Sequence, residues 1–193
     1  MKPPRPKICK APGCEVKFTP TFNTTQQVCS PYCSVVLTNY QKEQKRLKKN
    51  RAERKAFNEN DPTYLKKQAE KAFNAFIRLR DQDQPCISCD AAPGTYRLTA
   101  GHYRTKGAAG HLRFNEDNVH GQCWFNCNKN RSGNITEYRP RLVAKIGCER
   151  VEAIETNNVQ HEWTIDELRG IIAHYRQKTK DLKEKLSLNA EYL

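Results

Sequence analysis

Four cysteines in two close pairs could bind a metal ion near the middle of this chain. Cys86 and Cys89 form the first pair, and Cys123 and Cys127 form the second. Four thiolates with this spacing are typical ligands of a closed, tetrahedral, structural zinc site. A segment of this length cannot build much of a core, so zinc would supply the bonds that hold its parts together.

The predicted zinc cage would hold three further side chains in place, His102, Asn118 and Asn128. A neutral imidazole can take a proton from water at working pH. An amide oxygen can bind a hard cation such as Mg²⁺ or Mn²⁺, which stabilises charge on a phosphate. Nearby cations could bind phosphate groups, namely Arg104, Lys106, Arg113, Lys129 and Arg131. These residue types suit hydrolysis of a phosphodiester.

The order of these residues resembles the HNH nuclease motif, whose fold is a ββα-metal finger. The resemblance implies that His102 is the general base and that Asn118 fastens the loop between two strands. It also implies that Asn128, on the helix, faces a divalent metal. Most HNH motifs have an aspartate before the histidine as a metal ligand, and this chain has Gly101. Asn128, water and substrate phosphate would then hold the metal.

A narrower resemblance covers most of the chain. Segments 72–78, 101–104 and 112–118, together with the N-terminal cysteines, are similar to the NinG family of lambdoid phages, also called Rap. The resemblance implies a structure-specific endonuclease for branched recombination intermediates, such as Holliday junctions and D-loops. It also implies a role in phage recombination in the host cytoplasm. Branch specificity comes from the resemblance alone.

Composition favours a nucleic-acid partner. The chain has 193 residues and a formal net charge of +13, a balance that favours a polyanion. No apolar run approaches the length of a membrane span, and we expect no export signal and no membrane partner. Eight of the nine cysteines lie in close pairs, which favours metal binding over disulfides. We expect the ninth, Cys148, to be a small buried apolar residue.

A second set of four cysteines lies near the N-terminus, at Cys9, Cys14, Cys29 and Cys33. It predicts a second structural zinc ion in a zinc knuckle that begins with a flexible, basic, proline-rich tail over residues 1–7. Residues 16–22 are expected to form a short hairpin. Such a knuckle could contact DNA, contact a partner or only brace the fold, and we weigh bracing and DNA contact equally.

Two helices are predicted between the cysteine sets. The first, over residues 40–57, is strongly basic and poor in apolar residues, so it is either a solvated linker or a DNA-binding arm. We favour DNA contact, through Lys45, Arg46, Lys48, Lys49, Arg51 and Arg54. The second begins at Pro62, runs to about Arg80 and carries an apolar stripe that would pack on the zinc-held module.

In the region from residue 85 onwards, a strand is expected over residues 95–100, and His102 marks its end. Phe114 and Trp124 are interpreted as packing residues, although either could stack on an unpaired base. Helices are expected over 136–146 and 148–155, and a capping box at Thr164 opens a last helix. Its heptad seam, from Leu168 to Leu186, would either pack on its own domain or form a homodimer, which would suit symmetrical cleavage of a four-way junction.

Together these features predict an α+β fold. A small zinc-stabilised ββα-metal core would lie beside an N-terminal zinc knuckle and several long, partly basic helices. The predicted parts are 1–38, 39–84, 85–134 and 135–193, with two structural Zn²⁺ and a catalytic Mg²⁺ or Mn²⁺. Because Gly101 replaces an acidic ligand, a non-catalytic zinc-finger protein that binds DNA or RNA is the alternative. A scaffold that binds proteins through the heptad seam is a third class.

Overall fold

In the computed structural model, two-stranded sheets and long helices form a mixed α+β fold, as predicted. The structure describes residues 4–23 and 25–190, excluding the side chains of residues 189 and 190. The start of the predicted basic tail, residues 1–3, lies outside this range. The chain divides into two compact units, Met1–Asn58 and Glu59–Leu193. In the described residues, no helix is both long enough and apolar enough to cross a bilayer.

The first unit joins a small hairpin to a long helix. Strand β1 (Lys7–Ile8) pairs antiparallel with β2 (Lys17–Phe18), so the hairpin starts before the first cysteine rather than at residue 16. Helix α1 (Pro31–Glu59) starts nine residues earlier than predicted, because a proline in its first turn suits a helix start and Cys33 belongs to that turn. Cys33 is its only buried residue, so α1 presents its basic side chains to solvent.

The second unit follows the predicted order of elements with small shifts at their ends. The bounds are α2 (Pro62–Arg80), β3 (Leu98–His102), a 3-10 turn (Gly110–Leu112), β4 (Val119–Cys123), a π-helix (Trp124–Lys129), α3 (Ile135–Ile146), α4 (Cys148–Thr156) and α5 (Ile165–Ala190). The strand expected over 95–100 begins later, at Leu98, and includes His102. The two units divide after Asn58, inside the segment predicted as 39–84, and the four-part division stays a prediction.

Helices α2 and α5 form the main core with the sheet. Phe73 of α2 lies edge-on to Tyr175 of α5, with ring centroids 4.8 Å apart. Leu168 and Ile172 of the heptad seam are buried in the same cluster. This part of the seam therefore packs on the chain's own α2. The predicted capping box is present, since Thr164 and Glu167 exchange hydrogen bonds at the start of α5. A homodimer through α5 stays an untested hypothesis.

Strands β3 and β4 pair antiparallel, with His102 opposite Val119 and Leu98 opposite Cys123. The end of α2 bonds the backbone of β4. Arg80 Nη2 donates to the carbonyl of Val119 at 2.9 Å, and Asp81 Oδ2 accepts from the amide of Gly121 at 2.7 Å. The first cysteine loop is the loop that carries Cys86 and Cys89. Its Ile87 amide donates to the carbonyl of Gly121 at 3.1 Å.

Helices α3 and α4 form a second small core around Tyr138 and Val151. Arg104 joins this core to the end of β3. Its Nη1 donates to the carbonyls of Ile154 at 2.9 Å and Asn157 at 2.6 Å, at the carboxyl end of α4. The prediction for Cys148 was wrong, because this residue is exposed in the first turn of α4.

Candidate metal and catalytic site

Both predicted cysteine sets converge in space. In each set the four Sγ atoms lie within 4.8 Å of one another. Cys14 and Cys29 are 3.7 Å apart at their sulfurs, and Cys89 and Cys123 are 3.8 Å apart. A tetrahedral zinc ion with Zn–S bonds of about 2.3 Å has S···S edges of about 3.8 Å. Both sets therefore fit a closed structural zinc site.

Backbone amides support the central set of thiols. The amide of Cys123 donates to Cys86 Sγ at 3.2 Å, and the amide of Cys127 donates to Cys123 Sγ at 3.3 Å. Such bonds stabilise thiolates, which are the form that binds zinc. The first cysteine loop, the end of β4 and the π-helix thus meet at one point.

Asn118 joins the two ends of the loop between β3 and β4. Its Oδ1 accepts from the amide of Arg104 at 2.8 Å. Its Nδ2 donates to the carbonyls of Arg104 at 3.0 Å and Leu112 at 3.2 Å. Because the side chain is fully buried and both its oxygen and its nitrogen are hydrogen-bonded, Asn118 holds the two ends of this loop together.

His102 lies at the end of β3 with one ring nitrogen already bonded. Its Nε2 is 3.1 Å from the carbonyl oxygen of Arg113. A carbonyl only accepts, so the neutral ring carries its proton on Nε2 and keeps Nδ1 as an acceptor. Burial lowers the pKa of His102 to about 4, and the bond to Arg113 offsets this only in part. The ring is therefore neutral near pH 7.

Asn128, in the π-helix, is oriented by Gln122. Asn128 Nδ2 donates to Gln122 Oε1 at 2.9 Å. Gln122 is fully buried, and its Nε2 donates to Ser88 Oγ and to the carbonyl of Gly133, both at 2.6 Å. Because the nitrogen of Asn128 is engaged, its Oδ1 is left as a ligand atom. No motif or spacing in the sequence indicates this role of Gln122.

His102 and Asn128 line the same cavity, which has a volume of about 470 Å³. Helix α2 contributes Glu70 and Asn74 to its wall, and neither was predicted as a site residue. Asn74 Oδ1 is buried and has no hydrogen-bond partner among the described residues. Both residues follow directly after members of the apolar stripe, at Ala69 and Phe73, so helical spacing alone places them at the margin of the buried face.

The predicted phosphate-binding cations of this unit are in different environments. Arg113 pairs with Glu70 at 3.0 Å, and Lys106 also bonds Glu70. These two cations hold the pKa of Glu70 below its usual value, although burial alone would raise it. Lys129 and Arg131 are exposed. Arg104 needs correction as a phosphate ligand, because its guanidinium is bonded to the end of α4.

The two other histidines of this module lie outside the cavity wall. The Nε2 atom of His111 is 2.8 Å from the carbonyl oxygen of Asn157. His120 is buried beside Tyr138, whose hydroxyl donates to the carbonyl of Gly101. Both therefore have structural roles, as isolated histidines often do. Phe114 is buried as predicted, whereas Trp124 is 37% exposed.

Comparison with known proteins shows the family of this chain. The family model described as "Bacteriophage Lambda NinG protein" matches residues 1–185. Protein ninG of Escherichia phage lambda is 42% identical over 203 residues, covering 97% of this chain and 98% of the relative. Protein ninG of Salmonella phage P22 is 40% identical over 195 residues, covering 93% and 95%. No solved structure matches. The chain belongs to the NinG family of bacteriophage proteins, which confirms that part of the resemblance.

Proposed function

We propose that this protein is a metal-dependent endonuclease that cuts branched DNA recombination intermediates. One observation carries the proposal. A neutral histidine with a free ring nitrogen, His102, and an asparagine with a free amide oxygen, Asn128, line one cavity. The order β3, β4 and π-helix, held by four thiols, has the sequence of elements of a ββα-metal finger and supports the same conclusion.

The cavity suits a hard cation, because its ligand atoms are oxygens. Asn128 Oδ1 would hold Mg²⁺ or Mn²⁺, and Asn74 Oδ1 is a second buried amide oxygen in the same wall. No side chain at Gly101 contributes a ligand, so water and substrate phosphate would complete the set. When bound, such a cation stabilises negative charge on the phosphate and on the leaving oxygen.

His102 performs the proton transfer in this proposal. Its Nδ1 takes a proton from a water molecule while Nε2–H stays bonded to the carbonyl of Arg113, which fixes the ring. The resulting hydroxide attacks phosphorus in line with the bond to the 3′ oxygen. That bond breaks, and the leaving 3′ oxygen takes a proton from water, which gives a 5′-phosphate and a 3′-hydroxyl. The low pKa of His102 keeps the ring in the unprotonated form that this step needs.

The DNA partner is inferred from charge and from family membership. Helix α1 is solvent-exposed and carries most of the predicted DNA-binding residues. Specificity for Holliday junctions and D-loops, and a place in phage recombination in the host cytoplasm, rest on the resemblance to NinG. The names of the relatives state no activity.

The test is cleavage of end-labelled DNA in Mg²⁺ or Mn²⁺, with linear, forked, D-loop and four-way substrates compared. Cuts confined to branched substrates support the proposal. His102→Ala should lose cleavage and keep junction binding, because the imidazole acts on water rather than on DNA. Asn128→Ala should abolish metal-dependent turnover. Cleavage by His102→Ala at the wild-type rate would reject the assignment of the base.

A non-catalytic DNA- or RNA-binding protein is the second candidate. The observation in its favour is that Glu70, the acidic residue in the cavity wall, is already paired with Lys106 and Arg113. The same assay separates the two candidates. A shifted band without nicked product in either metal would support the binding protein.

A further inference from the structure

Two large aromatic side chains are exposed at the start of the π-helix. Trp124 is 37% exposed and Phe125 is 61% exposed. Trp124 also forms part of the wall of the cavity that contains His102 and Asn128. Aromatic rings are usually buried for their large apolar area, so exposed Trp124 in the cavity wall, with exposed Phe125 next in the chain, indicates a binding surface.

Each of these rings has a cation against it. The guanidinium carbon of Arg97 is 5.5 Å from the centre of the Trp124 ring. Lys129 Nζ is 6.0 Å from the centre of the Phe125 ring. Aromatic rings beside cations are the combination that binds single-stranded nucleic acid, because bases stack on the rings while phosphates approach the cations.

The backbone under these rings is fixed before any ligand binds. The amide of Trp124 donates to the carbonyl of Arg97 at 2.9 Å, and the amide of Asn130 donates to the carbonyl of Phe125 at 3.0 Å. Cys123 and Cys127, which belong to the central set of thiols, flank the two aromatic residues in sequence. A prearranged surface loses little entropy on binding.

We propose that Trp124 and Phe125 bind an unpaired base of the DNA strand whose phosphate enters the cavity at His102. This inference rests on the proposed nuclease function and specifies its substrate. In a duplex the base faces are covered by neighbouring bases, and extracting a base costs free energy, least where it is already unpaired. The aromatic pair would therefore favour branch points over continuous duplex.

The experiment measures binding by the full-length protein without added Mg²⁺ or Mn²⁺, so that no strand is cut. One probe is a DNA duplex with a single unpaired 2-aminopurine at its centre, and the other is the same duplex fully paired. We expect the protein to prefer the first probe and to quench its fluorescence. Trp124→Ala should lose about tenfold in affinity for the unpaired probe and little for the paired one.

Three variants serve as controls. Trp124→Phe keeps a stacking face and should retain most of the preference. Phe125→Ala should act in the same direction as Trp124→Ala. Tyr64→Ala removes an aromatic ring of α2 that is 37% exposed, as Trp124 is, and that lies outside the cavity wall, so it should change neither affinity. Zinc content and circular dichroism check that each variant is folded. If Trp124→Ala does not fold, Phe125→Ala tests the proposal in its place.

Equal losses on both probes, or fluorescence unchanged by binding, would overturn the aromatic site and assign the rings to another partner. The proposed nuclease fails separately. Retained preference for the unpaired probe with no cleavage in any metal rejects the nuclease and supports the aromatic site. If the protein cleaves junctions but both alanine variants keep the preference for the unpaired probe, the nuclease is supported and the aromatic site is rejected.

Discussion

Gln122 Oε1 accepts a hydrogen bond from Asn128 Nδ2 at 2.9 Å. This bond leaves Asn128 Oδ1 as the side-chain atom that can bind a metal ion. Gln122 cannot turn its amide around, because its Nε2 already donates to the carbonyl of Gly133 at 2.6 Å. Groups that orient a metal ligand commonly affect metal affinity nearly as much as the ligand itself.

Gln122→Ala should therefore weaken the catalytic metal site while leaving His102 in place. We expect the Mn²⁺ concentration for half-maximal cleavage to rise about tenfold. Ser88→Ala is the matched control, because it removes one acceptor of Gln122 and leaves the bond to Gly133. Mn²⁺ binding followed by electron paramagnetic resonance provides a readout independent of cleavage. An unchanged Mn²⁺ dependence in Gln122→Ala would contradict the positioning role.

Gly101 is required by the same glutamine. A Cβ at this position would lie 2.3 Å from Gln122 Oε1 and 2.9 Å from Gln122 Cβ. Gly101→Ala should lower the free energy of unfolding by about 1–3 kcal/mol, because the core must shift to accept it. Gly170→Ala is the control, since nothing lies within 4 Å of its added Cβ, and it should stabilise α5 by up to about 1 kcal/mol. Urea unfolding at fixed zinc measures both, and equal stabilities would refute the steric argument.

Periodicity and cysteine spacing were enough to predict α2 and both thiol sets. They could not predict Glu70 or Asn74 in the cavity wall, because the packing of α2 against the sheet is a tertiary contact between distant segments. The motif marks Gly101 as the position of a missing ligand, whereas in the structure Gln122 occupies the space that a side chain there would need. Similarly, Arg104 looked like a phosphate ligand because charge alone does not reveal that three carbonyls meet at the end of α4.

His102 should make the folded protein less stable in mild acid. Its pKa is about 4 when folded and about 6.5 when unfolded, so between these values only the unfolded chain binds the proton. Stability is lost as pH falls through this window, by about 2 kcal/mol between pH 7 and pH 5 from this residue. The charged groups that act on the ring are Lys106, Glu70 and Arg113.

His102→Gln provides the comparison for this effect. Urea unfolding of both proteins at pH 7 and pH 5 should show a smaller loss in the variant, since all other titrating groups are shared. A loss of the same size in both proteins would mean that the ring is not buried as a neutral group.

Metal analysis should find two zinc ions per chain, one for each thiol set. Cys123→Ser should leave one zinc ion and abolish cleavage, because the loops around the cavity lose their common ligand. Cys148→Ser removes the exposed ninth thiol and should keep both ions and full activity. A zinc content of two in Cys123→Ser would show that the central thiols do not form the site.

Helix α1 should account for part of the salt dependence of DNA binding. We would replace four of its exposed cations with glutamine, at Lys45, Lys48, Arg51 and Arg54. The slope of log affinity against log salt concentration should fall by up to about 0.9 for each phosphate that the variant no longer neutralises. Fluorescence anisotropy with duplex DNA over a range of salt concentrations measures it.

A second quadruple variant controls for net charge. It replaces four exposed cations of α5, at Arg176, Lys180, Lys183 and Lys185. If both quadruple variants reduce the slope equally, general charge rather than α1 attracts the DNA.

The bonds from Arg80, Asp81 and Ile87 to β4 have a consequence for how this protein behaves at high concentration. A two-stranded ribbon ordinarily exposes unpaired peptide groups that can recruit a strand from another molecule. Here side chains and one loop amide already bond the outward-pointing carbonyl of Val119 and both peptide groups of Gly121. The β4 edge of the ribbon is thereby closed to edge-to-edge aggregation without needing a third strand on that side.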